Sequence, residues 1–179
     1  MRIISGSEKG RRITAPKKLP VRPTTDMAKE ALFNILNNSY YLDDIRVLDL
    51  FSGTGNISYE FGSRGAKQII AVDADYGCIR FITKTAEEFG YPISTIKSDA
   101  LTYLEKSNIK SDIIFADPPY GMDIADFLKI PELVFKNELL LEDGVLIVEH
   151  SKHTDISEHP NFSDSRKYGG SVFSFFKAL

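Results

Sequence analysis

Apolar side chains in this chain recur first at helical spacing and then in short unbroken runs. Residues 1–23 are weakly periodic. Within them only Arg2-Ile3-Ile4 and Arg12-Ile13-Thr14 read as short strand pieces. Thr24-Thr25-Asp26 then forms an N-cap cluster, followed by Met27, Ala28, Ala31, Leu32, Ile35 and Leu36. That spacing predicts an amphipathic helix, closed by Asn37-Asn38-Ser39. From Ile45 the pattern changes. Val47–Phe51, Ile69–Asp73, Ile93–Ile96, Ile113–Ala116 and Val145–Glu149 are apolar runs of strand length. Helical spacing separates them, over 56–63, 76–89, 100–106 and 123–139. Near-continuous apolar strands alternating with helices predict an α/β chain whose parallel sheet is covered on both faces. Ser163–Tyr168 and Ser171–Lys177 flank Gly169-Gly170, which reads as a hairpin with a two-glycine turn. Phe173, Phe175 and Phe176 are expected on that hairpin's core face, with one neighbour beside it.

Each of the five runs stops at or beside an acid. In open α/β sheets the crevice at the carboxyl ends of the strands is where ligands sit. Acids are seldom buried without a partner, so a row of them there points to a site.

Composition narrows the class. The chain has 179 residues, 42% of them hydrophobic, which suits one packed domain with a small appendage. No apolar run approaches the roughly 20 residues of a membrane helix, and Met1–Gly6 has no signal-peptide core. The expectation is a cytoplasmic protein with no membrane partner. Cys78 is the only cysteine, so neither a disulfide nor a cysteine metal cluster is expected, and the residue reads as helix packing. Net charge is −3, unevenly spread. Residues 1–23 hold seven cations and one acid, leaving −9 on the remainder. A basic arm, 1–23, on an acidic domain, 24–179, fits local contact with phosphates, with Arg11, Arg12, Lys17, Lys18 and Arg22 as the candidates.

The loop Asp49-Leu-Phe51-Ser-Gly53-Thr-Gly55 joins the first strand to a helix. It lacks the lysine of a P-loop, and Ser58 stands where a dinucleotide fingerprint has its third glycine. An acid just before the loop suits a cation better than a pyrophosphate. S-adenosylmethionine carries a sulfonium and an ammonium. Asp49, Phe51, Gly53 and Gly55 are therefore candidate binding residues, Asp73 for ribose hydroxyls and Asp99 for an adenine edge.

Asp117-Pro118-Pro119-Tyr120 closes the fourth strand. Two prolines fix φ and remove two N–H donors, leaving carbonyls, the Asp117 carboxylate and an aromatic ring. An all-acceptor corner with a ring suits an exocyclic –NH₂ on a nucleobase, held by both protons and stacked on Tyr120. These four residues are the candidate catalytic group, and no metal is required.

Those motifs resemble the amino-group methyltransferases. More closely, Met1-Arg-Ile-Ile-Ser-Gly6, Gly10-Arg11, Arg22-Pro-Thr24, Glu30-Ala-Leu-Phe-Asn-Ile-Leu36 and Ser63-Arg-Gly-Ala66 resemble the RsmD family. The resemblance implies a Rossmann-like S-adenosylmethionine-dependent methyltransferase fold with a mostly parallel seven-stranded sheet, a C-terminal antiparallel hairpin and a short basic N-terminal extension. It implies methylation of a guanine N2 in bacterial small-subunit (16S) rRNA, within an assembled small ribosomal particle. Thr54, Asn56, Ser58 and Asp73 depart from the family's usual residues. The alternatives are a DNA adenine-N6 or cytosine-N4 methyltransferase and a non-catalytic RNA-binding assembly factor. A monomer is the default state. His150, His153 and His159 read as surface residues, and Tyr40 and Tyr41 as helix-end packing.

Overall fold

A computed structural model describes residues 1–179. The elements run α1 (Asp26–Asn37), β1 (Arg46–Leu50), α2 (Asn56–Ser63), β2 (Gln68–Asp73), α3 (Tyr76–Phe89), β3 (Ile93–Lys97), α4 (Ala100–Lys106), β4 (Ser111–Ala116), α5 (Ile124–Lys136), β5 (Leu140–Ser151), β6 (Phe162–Tyr168) and β7 (Ser171–Phe176). The helices start where side chains can cap them. Thr25, Asp75, Asp99 and Asp123 each accept a backbone N–H from the first turn of the helix that follows.

The seven strands form one sheet in the order β3-β2-β1-β4-β5-β7-β6. The first five are parallel, and the hairpin β6–β7 adds antiparallel to β5. Alternation along the strands divides the core in two. Val47, Ile69, Ile113, Phe115, Val145 and Ile147 meet Leu32, Phe33 and Leu36 of α1 and Ile57 and Phe61 of α2. Leu48, Leu50, Ile70, Val72, Ile114, Leu146 and Val148 meet Leu104 of α4 and Phe127, Ile130 and Val134 of α5. Each fully buried Leu, Ile, Val or Phe contributes about 1.5–3 kcal/mol, so neither face can be left uncovered. Phe173 and Phe175 join the first face and Phe176 the second. Strand order reverses between β1 and β4, which opens a crevice at their carboxyl ends.

The arm packs onto the body for much of its length. Arg2 and Arg12 form an antiparallel bridge, and Ile3 and Ile13 are buried with Tyr59, Ala71 and Ile82. Its anchor is Glu60, which is wholly buried in α2. Glu60 accepts the backbone N–H groups of Ile4 and Ser5 at 2.9 and 3.0 Å and the Arg64 guanidinium at 2.9 Å. Lys29 of α1, equally buried, lies 3.5 Å from Glu60 and donates to the Arg2 carbonyl and to Asn56 Oδ1.

Several local expectations are corrected. β5 begins at Leu140, five residues before its apolar run, because Asp143 at φ 59° lets the chain carry a register shift against β4. α5 stops at Lys136. His150 is buried, with its ring nitrogens 2.8 Å from Ser174 Oγ and the Ser151 carbonyl oxygen. Burial holds its pKa below the usual imidazole value. His159 stacks near Phe135 and Phe176. Tyr40 does pack at the helix end, donating to the Asp143 carbonyl at 2.6 Å. Tyr41 is 87% exposed and packs on nothing of note.

Candidate active site

A cavity of about 380 Å³ lies over the crevice. It falls within the roughly 300–1,000 Å³ range of small-molecule sites. Asp49, Phe51, Gly53, Asp73, Asp99, Asp117, Pro118, Pro119, Tyr120 and Arg22 all line it. Strand register explains why. Leu50 aligns with Val72 and Ala116, and Ala116 with Val148. The next row up is therefore Phe51, Asp73, Asp117 and Glu149. Asp49 lies one row below Leu50, on the face of β1 that α2 covers, where it meets Ser58.

The glycine loop is held by backbone. Phe51 takes φ 56°, a left-handed conformation that a bulky side chain rarely adopts, and Gly53 and Gly55 take φ 54° and 89°. Ser52 N–H donates to the Val72 carbonyl at 3.0 Å and Gly55 N–H to the Ser52 carbonyl at 2.8 Å. Gly53 N–H donates to Asp73 at 2.8 Å, and Asp75 N–H to the other oxygen of the same carboxylate at 2.9 Å. Asp73 thus shapes two loops and keeps spare lone pairs toward the cavity. Gly55 does not line the cavity. A Cβ there would sit 2.7 Å from the Tyr59 ring, so its lack of a side chain serves packing under the loop. Asp99 caps α4 through the Thr102 N–H.

The departures from the family pattern acquire functions. Ser58 Oγ donates to Asp49 at 2.6 Å. Asn56 donates to the Thr24 carbonyl while accepting from Lys29, which joins loop, arm and α1. Asp49 is buried, and its pKa is pushed up to about 7, chiefly by burial and secondarily by Asp73, with the Ser58 hydrogen bond opposing.

At the proline corner, Pro118 is buried and Tyr120 is 64% exposed. Met122 N–H takes the Pro119 carbonyl at 3.0 Å, whereas the Pro118 carbonyl accepts nothing from the chain. The Asp117 carboxyl also has no donor within the protein. Burial, then the negative charges of Glu149 and Asp49, raise it well above the usual carboxylate range. Arg22 places its guanidinium 6.0 Å from the Tyr120 ring centroid.

Glu149 is the residue that motif reading missed. It is buried, and Thr24 Oγ1 and Ser171 Oγ donate to its two oxygens at 2.7 and 2.9 Å. Its strand-end position was the available signal. Burial raises its pKa, and the two hydroxyl donors restrain the rise. Through Thr24 it fixes the segment Pro20–Thr24, which forms one wall of the cavity. Val21 lies over Gly53, near enough that a Cβ on that glycine would stand 3.2 Å from it.

Of the other arm cations, Arg11, Arg12 and Lys18 line a second cavity and Lys17 lines neither. Arg11 is already engaged by Glu8 at 3.1 Å, by Glu88 at 3.4 Å and by the Phe89 ring. No group of acids, histidines and cysteines has the arrangement of a metal site, and no helix is long and apolar enough to cross a membrane.

A family model described as Conserved hypothetical protein 95 matches residues 1–177. Ribosomal RNA small subunit methyltransferase D of Buchnera aphidicola is 30% identical over 92% of this chain and 85% of its own. The chain belongs to the RsmD family. YlbH of Bacillus subtilis is 35% identical, over 88% of this chain and 86% of its own. The solved structure of yhhF from Escherichia coli superposes with a TM-score of 0.85 at 26% identity, covering 98% of this chain and 96% of the other. A Thermus thermophilus 16S rRNA N2 G1207 methyltransferase, solved with AdoMet and guanosine, shares the fold at a TM-score of 0.70 and 19% identity, over 90% of this chain and 45% of its own. The seven-stranded sheet of this family member is thus the Rossmann-like methyltransferase fold.

Proposed function

We propose that the chain transfers a methyl group from S-adenosylmethionine to the exocyclic N2 of a guanine in bacterial small-subunit (16S) rRNA. Family membership supports an S-adenosylmethionine-dependent rRNA methyltransferase. The finer reading rests on one observation: at the mouth of the cavity, the Asp117 carboxyl and the Pro118 carbonyl are acceptors left open beside an exposed aromatic ring.

The cavity fits the cofactor's chemistry. Buried Asp49 suits a cationic group, Asp73 offers lone pairs to sugar hydroxyls, and Ser98, Asp99 and Ala100 line the same cavity. When bound, the cofactor supplies a methyl group whose bonding electrons stay on sulfur as it departs. The protein's part is positioning. Two acceptors, Asp117 and the Pro118 carbonyl, hold both protons of an –NH₂ and turn its lone pair toward the cavity. Tyr120 stacks on the base. Orientation of this kind lowers a barrier by about 7–11 kcal/mol at its extreme. Once the new N–C bond has formed, the nitrogen is cationic and releases one proton. Asp117 accepts it when ionised, and burial raises its affinity for that proton.

An exocyclic amine is reached only on an unstacked base. Extrusion costs a few kcal/mol, least in an unpaired loop. The proposed substrate is therefore an exposed loop of the rRNA, presented in an assembled small ribosomal particle to a cytoplasmic, monomeric enzyme. Incubation with methyl-labelled S-adenosylmethionine and particles from a strain lacking the gene, with naked rRNA and unmethylated DNA in parallel, tests this. Nucleoside mass spectrometry should find label in N2-methylguanosine, and Asp117→Ala should lower it at least 100-fold while cofactor binding persists. Label in N6-methyladenine or N4-methylcytosine of DNA overturns the substrate. Cofactor binding with no label in any substrate overturns the enzyme reading.

A further inference from the structure

The second cavity, about 750 Å³, lies between the arm and the outer face of α3. The arm contributes Arg11, Arg12, Ile13, Thr14, Pro16, Lys18 and Leu19 to it; α3 contributes Tyr76, Arg80 and Lys84 among others. We propose that this groove binds the RNA strand next to the target nucleotide, with Tyr76 as a stacking platform and Arg80 and Lys84 as phosphate contacts. The proposal rests on the rRNA reading given above, and it places on α3 contacts that the arm alone does not supply.

Three observations carry it. The first is charge. Five arginines and lysines line the groove against one acid, Glu88, although the whole chain carries −3. Glu88 is already bonded to Arg11. Arg12, Lys18, Arg80 and Lys84 are exposed and engage no carboxylate. Four free cations concentrated on one concave surface of an acidic protein are complementary to a polyanion.

The second is geometry. Tyr76, Arg80 and Lys84 follow at intervals of four, so they project from one stripe of the helix. The stripe spans about 12 Å at 1.5 Å per residue. Tyr76, at its upper end, is 64% exposed although it is a large aromatic, and it packs in neither core cluster of the sheet. Basic side chains beside an exposed ring are the elements of a single-strand binding surface.

The third is continuity. Asp75 lines the active-site cavity and Tyr76 lines the groove. Leu19 lines the groove and Pro20 the cavity. One wall, Leu19-Pro20-Val21, separates them. Leu19 is seated on α3 closely enough that a Cβ on Gly77 would stand 2.7 Å from it. A strand in the groove therefore lies against the wall of the active-site cavity, on its Asp75 side.

The test compares wild type with Arg80→Gln/Lys84→Gln, Tyr76→Ala and a control, Lys106→Gln/Lys110→Gln, at the opposite end of the sheet. Binding to a labelled single-stranded oligoribonucleotide and to 16S rRNA is followed by anisotropy across a salt series. Cofactor binding is measured separately by calorimetry. Losing two phosphate contacts should reduce the salt slope by about 1.4 and weaken binding roughly 25-fold at 0.1 M salt. Tyr76→Ala should weaken it at least about fivefold with the slope unchanged. Cofactor binding should not move. An unaltered affinity and slope, or a loss equal to the control's, overturns the proposal. So does unaltered RNA binding with lost affinity for poly-glutamate, which assigns the groove to an acidic protein segment. If the variants lose RNA binding while the wild type transfers no methyl, the groove stands and the proposed activity falls.

Discussion

Asp49 shows how much a single carboxyl can be asked to do. It is buried, accepts from Ser58, and in the free protein titrates near 7 rather than at its ordinary 3.8. The raised value means that the folded state holds a proton which the unfolded state has released. Stability of the free protein therefore declines as pH rises from about 4 to 7 and levels off above. Asp49→Asn removes this term. Its melting temperature relative to wild type should climb between pH 5 and pH 8, and an offset that does not vary with pH would show that Asp49 is ionised throughout. Asp117 and Glu149 shift in the same direction, and the contrast between them lies in partners. Glu149 has two hydroxyl donors, Asp117 none. Asp117, Asp73 and Asp49 were legible in sequence because each closes or adjoins an apolar strand run. Glu149 closed a run too, but no motif surrounds it. Its partners come from Thr24 and Ser171, and such distant pairings leave no local spacing to read.

At the level of elements, the parallel strands were legible for a simple reason. A strand buried on both faces must be apolar throughout, and Ile69–Val72 and Ile113–Ala116 are. The start of β5 was not, since Glu142-Asp143-Gly144 interrupts the apolar pattern and the register against β4 shifts there, with Asp143 at positive φ. The clamp between α1, α2 and the arm was invisible as well. Lys29 and Glu60 look like solvent-facing helix residues until the arm folds over them. The consequence is measurable. Glu60→Ala strands Lys29 and two backbone N–H groups in the interior, and breaking a buried pair this way costs about 3–5 kcal/mol. Chemical denaturation should record that loss, and hydrogen exchange should show Ile4 and Ser5 losing protection. Arg64→Ala, which removes a partner 10% exposed, should cost less. Equal losses would mean that Glu60 acts through Arg64 alone.

For the whole molecule, the acid row at the carboxyl ends of the strands makes cofactor binding a source of stability. A ligand that binds only the folded state at 100 times its Kd adds about 2.7 kcal/mol. Because a cationic group prefers ionised Asp49, affinity should rise by up to tenfold per pH unit toward pH 7 and then flatten. Calorimetric titration of S-adenosylmethionine between pH 5.5 and 8.5 checks this; a flat profile would place the cation elsewhere. Fold class followed from the alternation of elements; strand order did not, since it depends on which strands pair across the sheet. The arm's packing did not, since a run rich in Gly, Pro and cations gives little periodic signal for Ile3 and Ile13.

Val21 and its neighbours form a wall with a cavity on each side, tied to the sheet end through Thr24 and Glu149. A wall shared by two binding sites makes them energetic neighbours. By thermodynamic linkage, whatever factor an RNA strand applies to cofactor affinity, the cofactor must return to the RNA. On the proposed groove reading, substitutions within Leu19 to Thr24 are expected to change both of these effects by the same factor.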